Sequence, residues 1–418
     1  VTIATRKPPP DDIIDRERAD VAYLSGPGAG EIVAAALAGE GVTVQSWVLD
    51  RVHHRPGVGV TIGLVVRWSP AGGSGPAVQE YFCVTTAPLD ARAAGRPGVV
   101  TLAEEDRSWY LWRHPGDPEL PGLEAACRAT EADLDLVAYR PLRRAVVRVR
   151  SRPGAPGGAG VTYRKVVRPR RAEALHKRHE LLGSAGLPVP ASLGWTPDGV
   201  VTLVALEGPS LAQALAADGA SALDPQAFLD LLEAFPDGVL DLPRRAPWAE
   251  HARLYASGAA LALPGEALAL NQLGARVADL VARTDPGPVV PTHGDLYEAN
   301  LLVTGGTITG LLDIDSVGPG HRVDDLACLI GHALVLPCLA PATYPLVPAA
   351  VARWLAAFDA VVDPAALRAR VAAVVLSLVA GAVGDPGADT ARLETARVDA
   401  AARAALARDW ADSALAGV

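Results

Sequence analysis

Along the 418-residue chain the apolar positions change their habit near residue 168. Before that point, β-branched and aromatic residues gather in short runs bounded by Gly, Pro and Ser: VTVQSWVLD, VGVTIGLVVRW, VQEYFCVTT, GVVTLA, SWYLWRH, LDLVAYR, AVVRVRS and VTYRKVV. Such runs predict strands. One helical stretch, EIVAAALAGEG near 30–40, precedes them. Beyond 167 the segment PRRAEALHKRHELLGSAG (169–186) holds helix formers throughout and ends in Gly, which predicts a helix. LPVPASLGW and VVTLVAL then predict two further strands. From 208 onward, Ala- and Leu-rich segments predict helices at 210–217, 225–235, 246–260, 266–283, 350–360, 364–382 and 389–415. A strand-rich insert at 288–316 interrupts them. The pattern is that of an α+β chain, β-rich first and helical afterwards.

Two β-rich blocks resemble each other. Residues 53–86 and 138–167 share an Arg-Pro, a strand ending in Arg-Trp or Arg-x-Arg, a Gly/Pro/Ser turn, and a third strand with an aromatic residue. We read this as an internal duplication of a three-stranded unit, in which Lys165 of the second copy falls where the first has Cys83. PGAPGGAG, at 153–160, reads as the last turn of the second copy.

Length favours two or three domains, and a chain that is half apolar and one fifth charged can bury a substantial core. A net charge of −9 argues against nucleic acid as a bulk partner. Cys83, Cys127, Cys328 and Cys338 form no CxxC pair, and they read as buried free thiols of a reducing cytoplasm. The start VTIATRKPPPDDIIDRERAD carries no bipartite targeting pattern, and a cytoplasmic protein is expected. Residues 326–352 lack formal charge, but Pro337, Pro341, Pro345 and Pro348 interrupt them, so no membrane span is expected there. His53, His54, His321 and His332 show no metal-ligand spacing.

The densest chemistry lies in PTHGDLYEANLLV (291–303). Asp295 precedes Asn300 by five residues, the spacing at which a loop presents a carboxylate base to an attacking hydroxyl and a carboxamide oxygen to magnesium. A magnesium site of this kind needs one or two protein carboxylates besides substrate phosphate. Asp313, closing the apolar stretch ITGLLD, stands at hairpin distance from Asn300. Asp315 would share its side in an extended strand, as a further ligand or a phosphate-proximal group. The chain has only two asparagines, Asn271 and Asn300, so abundance does not explain the match. A turn in which Asp and Asn cap local backbone would explain Asp295 and Asn300 alone, but not the ordered set with Lys165, Asp313 and Asp325.

Taken together, HGDLYEANLL, GLLDIDSVGPGHRVDDLA, the lysine strand VTYRKVV, LPVPASLGW and LVALEGPSL resemble the aminoglycoside phosphotransferase and choline kinase-like family, over about 130–418. The resemblance implies a protein-kinase-like bilobal fold with three parts: an extra β-rich cap domain (1–128), a β-rich N-lobe (129–207) and a mainly helical C-lobe (208–418). It implies Asp295 as catalytic base, Asn300 and Asp313 as Mg2+ ligands, and Lys165 on the α- and β-phosphates of ATP or GTP. Backbone around Val204 to Glu207 would hold the base. Asp325 would brace the catalytic loop, and His293 would pack it through a ring hydrogen bond.

Three features depart from the family pattern. The turn RPLRR (140–144) has no glycine signature, and Arg143 and Arg144 stand where phosphate contacts are needed. Both Glu173 and Glu180 are candidates to pair with Lys165, with Glu180 preferred. Residues 1–128 lie outside the family core, although the extra domain and YRPLRRAVVRV look somewhat like maltokinases.

The expected reaction is transfer of the γ-phosphate to a hydroxyl of an aminoglycoside, a sugar or amino sugar, or an amino alcohol. An aminoglycoside would require an acidic pocket, for which Asp385, Asp389 and Glu394 are candidates. The other class of reading is an inactive, nucleotide-binding pseudokinase.

Overall fold

The computed structural model describes residues 11–55, 57–71, 76–104, 107–128, 132–152, 160–383 and 390–416. The turn at 153–159, Asp385 and Asp389 lie outside them. The described chain forms two compact units. Of the described residues, the first takes in 11–176 and Ser192–Val204, the second Lys177–Ala191, Ala205–Val383 and 390–416.

In the first unit, helices α1 (Asp11–Leu24) and α2 (Gly28–Leu37) precede strands β1 (Val42–Arg55), β2 (Gly59–Pro70) and β3 (Val78–Thr85). A short helix α3 (Ala91–Ala94) leads to β4 (Val99–Glu104) and β5 (Arg107–Arg113). These strands form an antiparallel sheet in the order β1-β2-β3-β5-β4. Its first face is covered by Leu24, Ile32, Val33 and Leu37 of the two helices, packed on Ile62, Leu64, Phe82 and Trp109. Burial on both faces explains why β2 reads as a nearly unbroken apolar run rather than an alternating one.

After α4 (Leu123–Ala126) come β6 (Ala132–Arg140), β7 (Arg144–Ser151), β8 (Val161–Val167), α5 (Pro169–Ser184), β9 (Ser192–Trp195) and β10 (Val200–Val204). The second sheet runs β6-β7-β8-β10-β9, the same order as the first, again with a helix between its third and fourth strands. Lys165 on β8 lies between Val146 and Val201 of the flanking strands, and Cys83 on β3 lies between Gly63 and Trp112 in the matching place. The likeness of the two blocks in sequence therefore extends to strand order and register. Of LPVPASLGW, only residues 192–195 are strand.

Cys83, Ala87, Trp112 and Leu142 form a small core on the sheet's other side. Beside it, Asp117 is 2% exposed. Its Oδ2 accepts the Tyr139 hydroxyl and the Leu142 N–H at 2.8 Å each, and its Oδ1 accepts the Glu119 N–H at 2.9 Å. Trp112 Nε1 donates to the same tyrosine oxygen at 3.2 Å. Burial raises the Asp117 carboxyl, and these donors oppose the rise. The glycine-free RPLRR turn is thus pinned at Leu142, which holds a left-handed φ of 63°.

The second unit opens with α6 (Leu211–Asp218), started by a reciprocal Ser210/Gln213 cap and stopped by left-handed Gly219. It continues with α7 (Gln226–Glu233), α8 (Ala252–Ala262), α9 (Ala267–Arg283), β11 (Val289–Thr292), β12 (Leu301–Thr304), β13 (Thr307–Leu311), β14 (Gly318–His321), α10 (Arg322–Leu339), α11 (Val347–Phe358), α12 (Pro364–Val379) and α13 (Thr390–Leu415). Helix α12 is buried nearly all round and packs against α8, α9, α10 and α13. Arg370 on α12 donates through Nε to Asp324 on α10 at 3.1 Å.

Helix α10 takes up residues 326–339, for which the sequence pattern assigned no helix. Pro337 falls in its last turn, where the bond it removes interrupts only the end of the helix. Among the described residues, no single helix is long and apolar enough to cross a membrane; the bent pair of first helices meets the length and composition criteria together. All four cysteines are free, with Cys83 and Cys328 buried.

Candidate active site

Two antiparallel pairs, β11 with β14 and β12 with β13, frame the loop 293–300. Strand β11 delivers the chain to His293, and β14 returns it to α10, whose first turn carries Asp325. Both oxygens of that carboxylate are engaged: Oδ2 accepts the His293 N–H and Oδ1 the Gly294 N–H, each at 2.7 Å. Asp325 is 1% exposed, and burial pushes its carboxyl up to about 7 against the opposing pull of the two N–H groups. It braces the loop, the part expected of it from sequence.

His293 is fully buried. Its Nδ1 accepts the Asp295 N–H at 3.3 Å, so the ring proton sits on Nε2 and is donated to the Leu312 carbonyl at 3.0 Å. Burial drives its pKa down to about 4, so the ring is a neutral strut at ordinary pH. Gly294 takes φ +76°, and a Cβ there would stand 2.7 Å from the Ser316 carbonyl oxygen. The histidine and glycine before Asp295 are thus required by a buried ring and a close backbone crossing.

Asn300, 6% exposed, donates its Nδ2 to the Asp295 carbonyl at 3.0 Å. With the nitrogen so used, the carboxamide oxygen is the group left for a cation. The backbone carbonyl of Asn300 accepts the Leu312 N–H at 2.8 Å, and Leu301 pairs with Leu311 at the root of the hairpin. This register sets Asn300 opposite Leu312, the residue before Asp313. Asp313 itself sits at φ 54°, ψ 52°. A left-handed non-glycine residue costs about 1–2 kcal/mol, and such strain persists where the surroundings dictate it.

Two sequence expectations change here. Strand β13 ends at Leu311, so Asp313 lies just past it rather than at its last position. Asp315 is not in an extended strand: residues Ile314–Ser316 form a single 3-10 turn, driven by the left-handed turn at Asp313. The charges of Asp313 and Asp315 both act on the His293 ring.

Lys165 is 7% exposed on β8 in the first unit. Glu173 and Glu180 both lie on α5 with exposed side chains, and Glu394 is exposed on α13. Sequence reasoning passed over Glu298, which is 7% exposed within the loop, lacks a hydrogen-bond partner at Oε2, and is pushed up to about 7 by burial. It also passed over Tyr255 on α8, whose hydroxyl is raised by burial and by the charge of Asp295. Glu298 stands inside the 291–303 stretch, but its burial shows only in the folded chain; Tyr255 stands in no motif, and only the fold brings its hydroxyl under the charge of Asp295.

Among the described residues no cluster of three His, Cys, Asp or Glu side chains forms a metal cage. Asn300 Oδ1 and the Asp313 carboxylate are hard-oxygen donors, the kind magnesium takes together with substrate phosphate.

A family model described as the phosphotransferase enzyme family matches residues 136–373. A search of curated proteins returned no match. Among solved structures, the chain is similar to a macrolide 2'-phosphotransferase of Brachybacterium faecium, with 18% identity over 64% of this chain and 90% of that one, at a TM-score of 0.37. It is similar to an aminoglycoside phosphotransferase of Streptomyces rimosus, with 20% identity, coverage of 59% and 93%, and a TM-score of 0.38. It is also similar to a choline kinase of Cryptosporidium parvum, with 13% identity, coverage of 71% and 94%, and a TM-score of 0.41. Likenesses this distant fix no acceptor.

Proposed function

Because this chain belongs to the phosphotransferase enzyme family, whose model spans more than half of it, we propose that it transfers the γ-phosphate of ATP or GTP to a hydroxyl of a small polar molecule. The acceptor classes that fit are an aminoglycoside, a sugar or amino sugar, and an amino alcohol. The observation that carries the reading is the hairpin tie: Asn300 holds the Asp295 carbonyl with its amide nitrogen and the Leu312 N–H with its own carbonyl. The tie links residues 295, 300 and 312 through backbone atoms, which supports a reading that depends on positioning, as phosphoryl transfer does.

In this mechanism Asp295 takes the proton of the acceptor hydroxyl as its oxygen forms a bond to the γ-phosphorus, and the nucleoside diphosphate leaves with the electrons of the broken bond. Asn300 Oδ1 and the Asp313 carboxylate would hold Mg2+, which when bound neutralises charge on the phosphate oxygens. Lys165 would meet the α- and β-phosphates as a point charge. The neutral His293 ring and Asp325 transfer no proton; they hold the segment that carries Asp295.

The test is thermal stabilisation by ATP and by GTP, each with and without magnesium, on the wild type and Asp313→Ala. Magnesium-dependent stabilisation that the variant loses supports the reading. Nucleoside diphosphate release with each acceptor class, abolished by Asp295→Asn, then identifies the acceptor. Stabilisation by neither nucleotide would overturn the proposal, and full turnover by Asp295→Asn would overturn the assignment of the base.

A further inference from the structure

The first unit contains a cavity of about 800 Å³, a volume suited to a small-molecule ligand, in which phosphotransfer gives no residue a task. Its wall comes from the segment around α3, the 118–121 connection, the β8–α5 junction and the β9–β10 turn. Each contributes proline (Pro88, Pro118, Pro121, Pro169, Pro197), so the wall is backbone with φ already fixed.

Four arginines line this space: Arg92, Arg96, Arg168 and Arg170. Two are held in place. Arg96 Nη1 donates to the Pro118 carbonyl at 3.2 Å. Arg168 Nε donates to the Leu142 carbonyl and lies against Glu119 Oε2, both at 3.0 Å. The side chains of Arg92 and Arg170 are exposed and have no ion-pair or hydrogen-bond partner among the described residues.

The acids of the wall are already occupied. Asp90 accepts the Ala93 N–H at 2.8 Å to start α3, Glu119 meets Arg168, and Asp198 accepts the Thr196 hydroxyl. The 16-residue helix α5 also begins here, at Pro169, and adds the positive end of its dipole.

We propose that this cavity binds a small phosphorylated metabolite. Arg92 and Arg96 take its phosphate from the α3 side and Arg170 from the α5 side, while the proline wall packs the organic part. Phosphate is favoured over carboxylate because the donors come from separate segments, which matches a tetrahedral group with three acceptor oxygens; one guanidinium fork already satisfies a planar carboxylate.

Calorimetric titration of the full chain with glycerol 3-phosphate tests this. The wild type and Asp313→Ala are expected to bind saturably, while Arg92→Ala/Arg170→Ala binds roughly tenfold weaker per arginine removed. Circular dichroism confirms that the double variant, altered only at exposed positions, is folded. Four results would overturn the proposal: no saturable heat in the wild type at millimolar ligand, undiminished binding by the double variant, loss of binding in Asp313→Ala, or succinate binding as tightly as glycerol 3-phosphate. Equal binding of inorganic phosphate would overturn the packing of an organic part.

Discussion

Replacing Asp325 by Ala isolates the brace beneath the catalytic loop. The substitution leaves two N–H groups, each now satisfied at 2.7 Å, facing an apolar methyl. His293 is wholly buried, so its N–H has no water to turn to. At about 2 kcal/mol for each orphaned donor, the expected deficit is about 4 kcal/mol. That figure depends on pH in a direction set by burial. The folded-state pKa of about 7 lies above the ordinary 3.8, so the folded protein binds this proton more tightly than the unfolded chain does. The stability that Asp325 contributes is therefore fully present below about pH 4 and is lost as pH rises through about 7.

Linkage removes about 2 kcal/mol of this contribution by pH 5 and nearly all of it by pH 8, so the variant's deficit should fall from about 2 kcal/mol at pH 5 to near zero at pH 8. Urea unfolding of both proteins at the two pH values, followed by tryptophan fluorescence, measures it. Asp325→Asn, which cannot titrate, should differ from the wild type with the same trend. A deficit that stays constant or grows with pH would show that the two N–H bonds outweigh burial, and the reasoning would be refuted.

Three further outcomes follow from single positions. Asp313→Gly should relieve the left-handed backbone and raise stability by about 0.5–1 kcal/mol without nucleotide, while abolishing the magnesium-dependent thermal shift; unchanged or lower intrinsic stability would contradict the strain at φ 54°. Gly294→Ala should cost at least about 2 kcal/mol and most of kcat, because its Cβ meets the Ser316 carbonyl at 2.7 Å; a melting temperature within error of the wild type would count against that crossing. Cys83→Ala should leave nucleotide affinity unchanged in an equilibrium titration while costing about 1 kcal/mol of packing, since Cys83 is fully buried; an altered affinity would mean that the first sheet takes part in nucleotide binding.

Local chemistry made much of this protein legible in its sequence. Helices α6, α7, α9 and α12 follow from residue propensity and end signals, and β7 and β8 from β-branched runs between turns, because these depend on neighbours a few positions away. The spacing of Asp295 and Asn300 was readable for the same reason. What the spacing left open was the backbone between them and Asp313. A left-handed residue at 313 and a turn at 314–316 arise from the hydrogen bond between Leu312 and Asn300, a contact made only when β12 and β13 close.

Helix α10 was masked by the prolines in and beyond it, of which only Pro337 lies within the helix; the helix packs against α12. The matching order of the two sheets was only hinted at by the paired blocks, since strand order is set by long-range pairing. Glu298 stands within the 291–303 motif without marking itself as buried there, and Tyr255 and the arginine-lined cavity carry no local signature. Their character comes from desolvation and convergence of distant segments, which are properties of the packed chain.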